Sequence, residues 1–339
     1  RSTLFPYTTL FRSLELGVRM KRIGVLTSGG DAPGMNAALR AVVRTAVYMG
    51  VEVYGIYEGY RGLLDGNIKE LNVASVADII QRGGTALRSA RCAEFHTSEG
   101  IQKGIDMLKV FKLEGLVVLG GDGTYRGAME LAKRGIPVVG IPCTIDNDMG
   151  YTEFTVGFFT AVETVIEAIG KIRDTSSSHG RGNIIEVMGR RCGDIALYAG
   201  LSGGAENIII PEEPFNVDEM IERTIRGRNR GKIHNIVLLT EGVANAYEVA
   251  ETLEDRTGVD FRVTILGHIQ RGGSPSAFDR VIASQMGYHA VDYLIKHPDA
   301  QTALGIQGGQ IVYTGMLEAV SRKKEISEDI YTIAQVLSI

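Results

Sequence analysis

The chain has 339 residues, a length that favours two domains with sizeable cores, and its 40 acidic and 36 basic side chains leave a formal charge of -4. That balance argues against a nucleic-acid protein working through a global basic field, and a composition 44% apolar and 22% charged excludes disorder. No apolar run approaches the roughly 18 residues that span a bilayer, and three scattered cysteines, Cys92, Cys143 and Cys192, imply a reducing cytoplasm rather than a disulfide framework or thiolate metal cluster.

Residues 1–19 follow neither a helical nor a strand period. Their run TLFPYTTLFRS resembles the translation of a sequencing adapter, so they are expected to be a non-native extension ahead of Met20. From there short β-branched runs alternate with helical stretches. Strands are expected at 22–27, 51–57, 115–119, 137–141, 183–187, 206–210, 235–240 and 262–266, and helices at 35–49, 127–134, 155–173, 218–228 and 276–297. The polar segment 174–180 (DTSSSHG) reads as a loop crossing between two lobes. Strand, glycine turn and helix in repetition predict an α/β fold of parallel sheets with helices on both faces and ligands at the carboxyl ends of the strands.

Glycine is the compositional departure, 43 residues or about 13% against a usual ~7%, and it marks backbone that must approach something closely. The turn Ser28-Gly29-Gly30-Asp31-Ala32-Pro33-Gly34 follows the first strand and enters a helix; Gly120-Gly121-Asp122-Gly123-Thr124 does the same after the strand ending at Leu119. Such turns seat phosphate on outward N–H groups and a helix N-terminus. A carboxylate beside a phosphate seat implies a cation between them, which assigns Mg2+ to Asp122. Neither turn is a Walker A loop or a GxGxxG fingerprint, which weakens P-loop and dinucleotide readings.

In Thr144-Ile145-Asp146-Asn147-Asp148 an extended backbone would put Thr144, Asp146 and Asp148 on one side and Ile145 toward the core. Two carboxylates on one face suit divided labour, one as base and one as metal contact. Arg91, Arg190 and Arg271, with His268, stand at glycine-flanked strand ends from which guanidinium forks can reach phosphate. A separate basic set has no place in that chemistry: Arg40 and Arg44 share a helical face, and Arg226, Arg228, Arg230 and Lys232 precede a strand.

In chain order, LTSGGDAPGMNAALR, RGGTALRSAR, LGGDGTYRGA, TIDND, RDTSSSHGR, VMGRRCGD, TEG and LGHIQRGGSP resemble the motifs of the bacterial ATP-dependent 6-phosphofructokinase family, from about Met20 to the C-terminus. The resemblance implies two Rossmann-like three-layer α/β/α lobes with the active site in the cleft. The larger, ATP-binding lobe would take residues 20–157 and 270–320, and the smaller, fructose 6-phosphate lobe residues 158–269 and 321–339. It also implies a cytoplasmic homotetramer that moves the ATP γ-phosphoryl group to the sugar 1-hydroxyl.

Carried over by motif position, Gly30, Tyr60, Arg91, Cys92, Gly121, Asp122, Gly123, Thr124 and Gly127 would hold ATP, with Asp122 and Asp148 on Mg2+. Asp146 would accept the sugar proton while Thr144, Arg91 and Arg190 stabilise the transferring group. Met188, Gly189, Arg190 and Glu241 would clasp the sugar, and Arg181, Arg262, His268 and Arg271 its 6-phosphate, with Arg181 and Arg262 supplied by a neighbouring subunit. Arg40, Arg44, Asp78, Arg173, Gly204, Glu206, Arg230, Lys232 and His234 match the effector site, where ADP activates and phosphoenolpyruvate inhibits. Three positions depart from the family: Cys143 stands where Gly is usual, and Cys92 and His96 where aromatic and Arg side chains flank ATP, so nucleotide affinity is expected to respond to them. A reachable Cys143 thiol would also offer a route to inactivation by alkylation. A pyrophosphate-dependent relative would carry Asp for Gly123 and Lys for Cys143, and this chain has neither.

Overall fold

In the computed structural model, which describes residues 20–338, the chain builds two sheets. The expectation for residues 1–19 lies outside the described residues. The first sheet contains β1 (Arg22–Thr27), β2 (Glu52–Ile56), β3 (Ile68–Leu71), β4 (Gly115–Gly120), β5 (Val138–Pro142), β10 (Gln301–Gln307) and β11 (Gln310–Gly315), in the order β11-β10-β5-β4-β1-β2-β3. Only its outer pairs, β2 with β3 and β10 with β11, are antiparallel. The second sheet, β7-β8-β6-β9, is parallel throughout and uses β6 (Gly182–Val187), β7 (Asn207–Ile209), β8 (Asn235–Thr240) and β9 (Phe261–Ile265).

Strand alternation divides the core. In β4 every residue is buried; Val117 and Leu119 join one apolar cluster with α1 (Met35–Tyr48) and α9 (Ala277–Lys296). Leu116 and Val118 face the other way, toward α2 (Gly59–Asp65), α3 (Ser98–Val110), α4 (Asp122–Ala132) and α10 (Met316–Ser321). The second sheet repeats the arrangement. Ile236 and Leu238 face α5 (Phe158–His179) and α6 (Asp194–Gly203), whereas Val237 and Leu239 face α7 (Val217–Asn229) and α8 (Ala246–Thr257). The C-terminal α11 (Glu328–Leu337) packs outside α6. Each large apolar side chain so buried contributes about 1.5–3 kcal/mol, and the α1, α9, α5 and α6 faces share one continuous cluster that joins the lobes. Among the described residues no helix is long and apolar enough to cross a membrane.

All eight expected strands form, but segment 174–180 corrects the reading, because α5 runs on to His179. Its serines do not break the helix: Ser176 and Ser178 donate their hydroxyls to the carbonyls of Ile172 and Asp174, four residues back, at 2.7 and 3.0 Å. Gly180, at φ +66, ends it. Helix α4 also begins earlier than position 127, with Asp122 already in its first turn. The unpredicted hairpin β10–β11 turns at Gly308 and Gly309, both with positive φ.

The start of α5 lacks a side-chain cap of its own, since Gly157 precedes it at φ +106. Asp279, fully buried on α9, supplies the cap: it accepts the N–H groups of Gly157 and Thr160, both at 2.8 Å, and the hydroxyls of Thr160 and Ser276. Burial pushes its carboxyl up, and the four donors oppose that rise. Asp279→Ala, which strands those donors, is expected to lower the unfolding free energy by about 2–4 kcal/mol in urea titration.

Candidate active site

The two glycine turns converge because β1 and β4 are hydrogen-bonded neighbours and both turns leave their carboxyl ends. Thr124 Oγ1 donates to the Ser28 carbonyl at 3.0 Å, and Ser28 N–H donates to the Leu119 carbonyl at 3.0 Å. Gly120 permits this approach, since a Cβ there would lie 2.5 Å from Ser28 O. The Thr124 hydroxyl is therefore spent on joining the turns. Tyr60 is buried beneath this seat, and Gly127 is half-buried against it. Tyr60 is 5% exposed, its hydroxyl donates to the Thr124 carbonyl at 2.6 Å, and a Cβ on Gly127 would come 2.6 Å from its ring. Gly121, Asp122 and Gly123 remain at the accessible rim. Among the described residues Asp122 pairs only with Arg126, four residues on, at 2.9 Å; both are about half exposed, a pairing weak enough for a cation to displace.

Arg91 is exposed at the end of a loop tied to the first turn: Ser89 donates to the Gly29 carbonyl at 2.8 Å, and Thr27 Oγ1 to the Arg88 carbonyl at 2.8 Å. Asn36, which the sequence reading passed over, holds the middle of that loop through the carbonyls of Arg82 and Gly83 and the N–H of Ala86. Cys92 is half-buried and His96 exposed, while Phe95 between them stacks on Tyr60 at 4.2 Å.

Residues 144–148 keep the expected alternation without being a strand. Ile145 and Asn147 are buried, whereas Thr144, Asp146 and Asp148 retain exposure. Thr144 lies beside the second glycine turn, its Cβ 3.7 Å from where a Gly121 Cβ would stand. Its hydroxyl accepts the Asp146 N–H at 3.2 Å. Asp146 Oδ1 is buried without a hydrogen-bond partner. Burial first, then the charges of Asp148 and Glu241, push this carboxyl up to about 6, against the opposing pull of Arg271. Cys143 points into the core at 1% exposure and burial drives its thiol pKa up, so the expected route to inactivation by alkylation has no access.

Met188, Gly189, Arg190, Glu241, His268 and Arg271 follow the carboxyl ends of β6, β8 and β9. Glu241 N–H donates to the Val187 carbonyl at 2.8 Å, and Gln270 Oε1, buried within the HIQRGG motif, accepts the Met188 N–H at 3.2 Å. Met188 itself is 6% exposed and offers backbone, not side chain. Arg271 reaches the first glycine turn, where its guanidinium fills the space a Gly30 Cβ would need. Arg181 and Arg262 are not part of this group. Both pair with Asp260, at 2.8 and 2.9 Å, at the opposite ends of β6 and β9, and a six-residue strand separates the two ends by about 20 Å.

Among the described residues no group of three or more His, Cys, Asp or Glu side chains could hold a metal ion alone. Asp122 and Asp148 suit Mg2+ nonetheless, because this ion takes one or two protein carboxylates and completes its shell with phosphate oxygens and water. Asp148 is raised by desolvation first, with the Asp122 charge adding to it.

The proposed effector residues fall into two groups within one chain. Glu206 is buried, accepts the Ile236 N–H at 2.6 Å, and faces Lys232 at 3.4 Å and His234 at 3.8 Å. Beside it a cavity of about 210 Å3 is lined by Glu206, Arg230 and Lys232 with Arg223 and Arg226. Arg173 bonds the carbonyls of Gly203 and Gly204 nearby. Arg40 and Arg44 instead lie on α1, and Asp78 in an exposed loop after β3 at φ +52.

Parallel α/β lobes, paired phosphate-seating turns and a buried carboxylate facing cations across a cleft define a phosphotransferase. The chain matches the Phosphofructokinase family profile over residues 22–294 and belongs to that family. It is similar to the ATP-dependent 6-phosphofructokinases of Finegoldia magna, at 58% identity, and Halalkalibacterium halodurans, at 56%, each over 320 residues covering 94% of this chain and 100% of the relative. The solved phosphofructokinase of Saccharomyces cerevisiae superposes with a TM-score of 0.86 at 35% identity over 94% of this chain, which spans 48% of the yeast chain. A pyrophosphate-dependent phosphofructokinase from Marinobacter aquaeolei shares the fold, with a TM-score of 0.82 at 22% identity over 94% of this chain and 91% of its own.

The Asp146 carboxyl has a stability signature. Its folded pKa of about 6 exceeds the ordinary value of 3.8, so the folded state binds the proton more tightly than the unfolded one. The stability this carboxyl contributes is full below the ordinary value and is lost as pH rises through 6. Asp146→Asn is therefore expected to raise stability at about pH 8 by on the order of 3 kcal/mol, a gain that fades toward about pH 4 in denaturant titrations.

Proposed function

We infer that the chain is an ATP-dependent 6-phosphofructokinase, transferring the γ-phosphoryl group of ATP to the 1-hydroxyl of fructose 6-phosphate to give fructose 1,6-bisphosphate and ADP. The observation that carries this reading is the buried, unpartnered Asp146 carboxylate between the glycine turns and the Arg190–Glu241 end of the second lobe. ATP is preferred over pyrophosphate as donor because curated relatives at 55–58% identity are named ATP-dependent, whereas the pyrophosphate-dependent structures match only at 18–22%.

In this reading Gly30, Gly121, Asp122, Gly123 and the backbone of Thr124 seat the nucleotide, with Arg91 and Cys92 at the rim. Asp122 and Asp148 would hold Mg2+, which when bound would supply neutralisation of phosphate charge. Asp146 takes the proton of the attacking hydroxyl, an acceptor role that positioning serves more than proton affinity. Thr144 holds the Asp146 backbone while Arg91 and Arg190 face the transferring group. Gly189, Arg190, Glu241 and the Met188 backbone clasp the sugar, and His268 and Arg271 take its 6-phosphate. Arg181 and Arg262, about 20 Å away along the strands, serve a neighbouring subunit's site, so a homotetramer is part of the reading. The Glu206 cavity forms half of an effector site for ADP and phosphoenolpyruvate, completed by Arg40, Arg44 and Asp78 of another subunit. The lobes are taken as 20–157 with 270–320 and 158–269 with 321–339, in a cytoplasmic enzyme.

A coupled assay of fructose 6-phosphate with ATP, GTP or pyrophosphate, with and without ADP, tests the donor; turnover on pyrophosphate alone overturns it. Asp146→Asn is expected to lower turnover at least about 10²-fold with little change in substrate affinity. Sharing of sites predicts complementation. Arg262→Ala and Asp146→Asn chains, each impaired alone, should regain activity as mixed oligomers, because one class of hybrid site has both residues intact; no recovery in verified hybrids rules out the shared site.

A further inference from the structure

Lys324 lies in segment 322–327, which carries the chain from α10, packed on α4 and β10, to α11, packed on α6. Its side chain is only 14% exposed, and buried ammonium groups are rare unless paired. Nζ donates to the carbonyls of Thr152 at 3.2 Å and Glu153 at 2.9 Å, and stands 3.7 Å from Asp194 Oδ2. Asp194, 3% exposed, opens α6, and the same oxygen accepts from Asn147 Nδ2 at 2.7 Å. Asn147 sits between Asp146 and Asp148, fully buried and at φ +50. It also donates to the Glu153 carbonyl at 3.0 Å and accepts the Thr155 N–H at 3.0 Å, while the Thr155 hydroxyl holds the Thr144 carbonyl at 2.6 Å. The segment passes directly against this loop, since a Cβ on Gly150 would lie 2.7 Å from the Arg322 carbonyl.

A left-handed non-glycine residue persists only where its surroundings over-determine it, and here the loop's own Glu153 and Thr155 are joined by Asp194 of the second lobe, which Lys324 of the C-terminal crossing faces in turn. We propose that Lys324 is a positioning residue for phosphoryl transfer. As the cation of a buried Lys324–Asp194–Asn147 chain, it holds the loop bearing Thr144, Asp146 and Asp148 in register with α6 and with the sugar-side loop that runs into α6 at Gly193. It touches no reacting atom. The inference rests on the reading of Asp146 as base.

Without the ammonium, two carbonyls and a carboxylate are left short of a donor behind the loop, and the loop relaxes. A misplacement of about 1 Å at the reacting atoms costs up to about 10²-fold in rate while the remaining substrate contacts persist, so the loss falls on kcat. In the full-length protein, Lys324→Met is expected to lower kcat about tenfold or more with both KM values within about threefold. Lys324→Gln, which keeps two donors without the charge, is expected to fall between and replaces the Met variant if that one does not fold. Wild-type kcat in the soluble variant, or a loss carried by KM alone, overturns the proposal. Asp146→Asn measured in parallel separates the two ideas. Wild-type turnover there removes the base, whereas wild-type kcat at Lys324→Met removes only the positioning role.

Discussion

Asp146 Oδ1 is buried and has no hydrogen-bond partner, and burial raises its carboxyl to about 6. At neutral pH the ionised form therefore stays in place against its own desolvation cost, and something else must hold it there. The supports are covalently close but structurally remote. Its N–H rests on Thr144, and its neighbour Asn147 is fixed by Asp194, Glu153 and Thr155. The preceding Cys143 is locked into a bridge with Val156 and buried in the core. On the proposed reading, rigid surroundings keep the carboxylate available to the hydroxyl proton, which is the general logic of a base whose pKa is tuned by environment.

The same economy governs the nucleotide side. Two parallel strands that pair in register end at the same height, so their turns meet without further instruction, and Thr124 needs one hydrogen bond to Ser28 to join them. Parallel pairing also explains why a single chain leaves its arginines divided. Side chains at the two ends of β6 or β9 stay a strand length apart, and rearranging a surface loop does not close such a gap.

Much of this was legible in the sequence. The strands showed as β-branched runs, and the glycine turns fall at the carboxyl ends of two paired strands. Motif position, however, identifies a place and not the direction in which a side chain points. Tyr60, Met188 and Cys143 stand where expected along the chain, yet their side chains are packed under or behind the cleft. The polar run at 174–180 misled for a local reason, since serine hydroxyls that favour turns are equally satisfied by carbonyls four residues back in a helix. The Asn147–Asp194 bond was invisible because it joins residues 47 apart with no periodic relation, and Lys324 reads in sequence as one of a run of surface cations.

Arg271 shows how the two halves of the cleft are coupled. Its guanidinium lies against Gly30 in the nucleotide turn and is also the cation that restrains the rise of the Asp146 carboxyl. An anion that engages Arg271 necessarily competes for that charge. If the sugar 6-phosphate does so, its arrival weakens the hold on Asp146 and increases the proton affinity of the base as the acceptor hydroxyl comes within reach. Coulomb interactions in a partly desolvated cleft are strong enough for such a transfer of charge compensation to matter. On the proposed reading the base and the phosphate site are thus parts of one electrostatic arrangement, although residues far apart in the chain supply them.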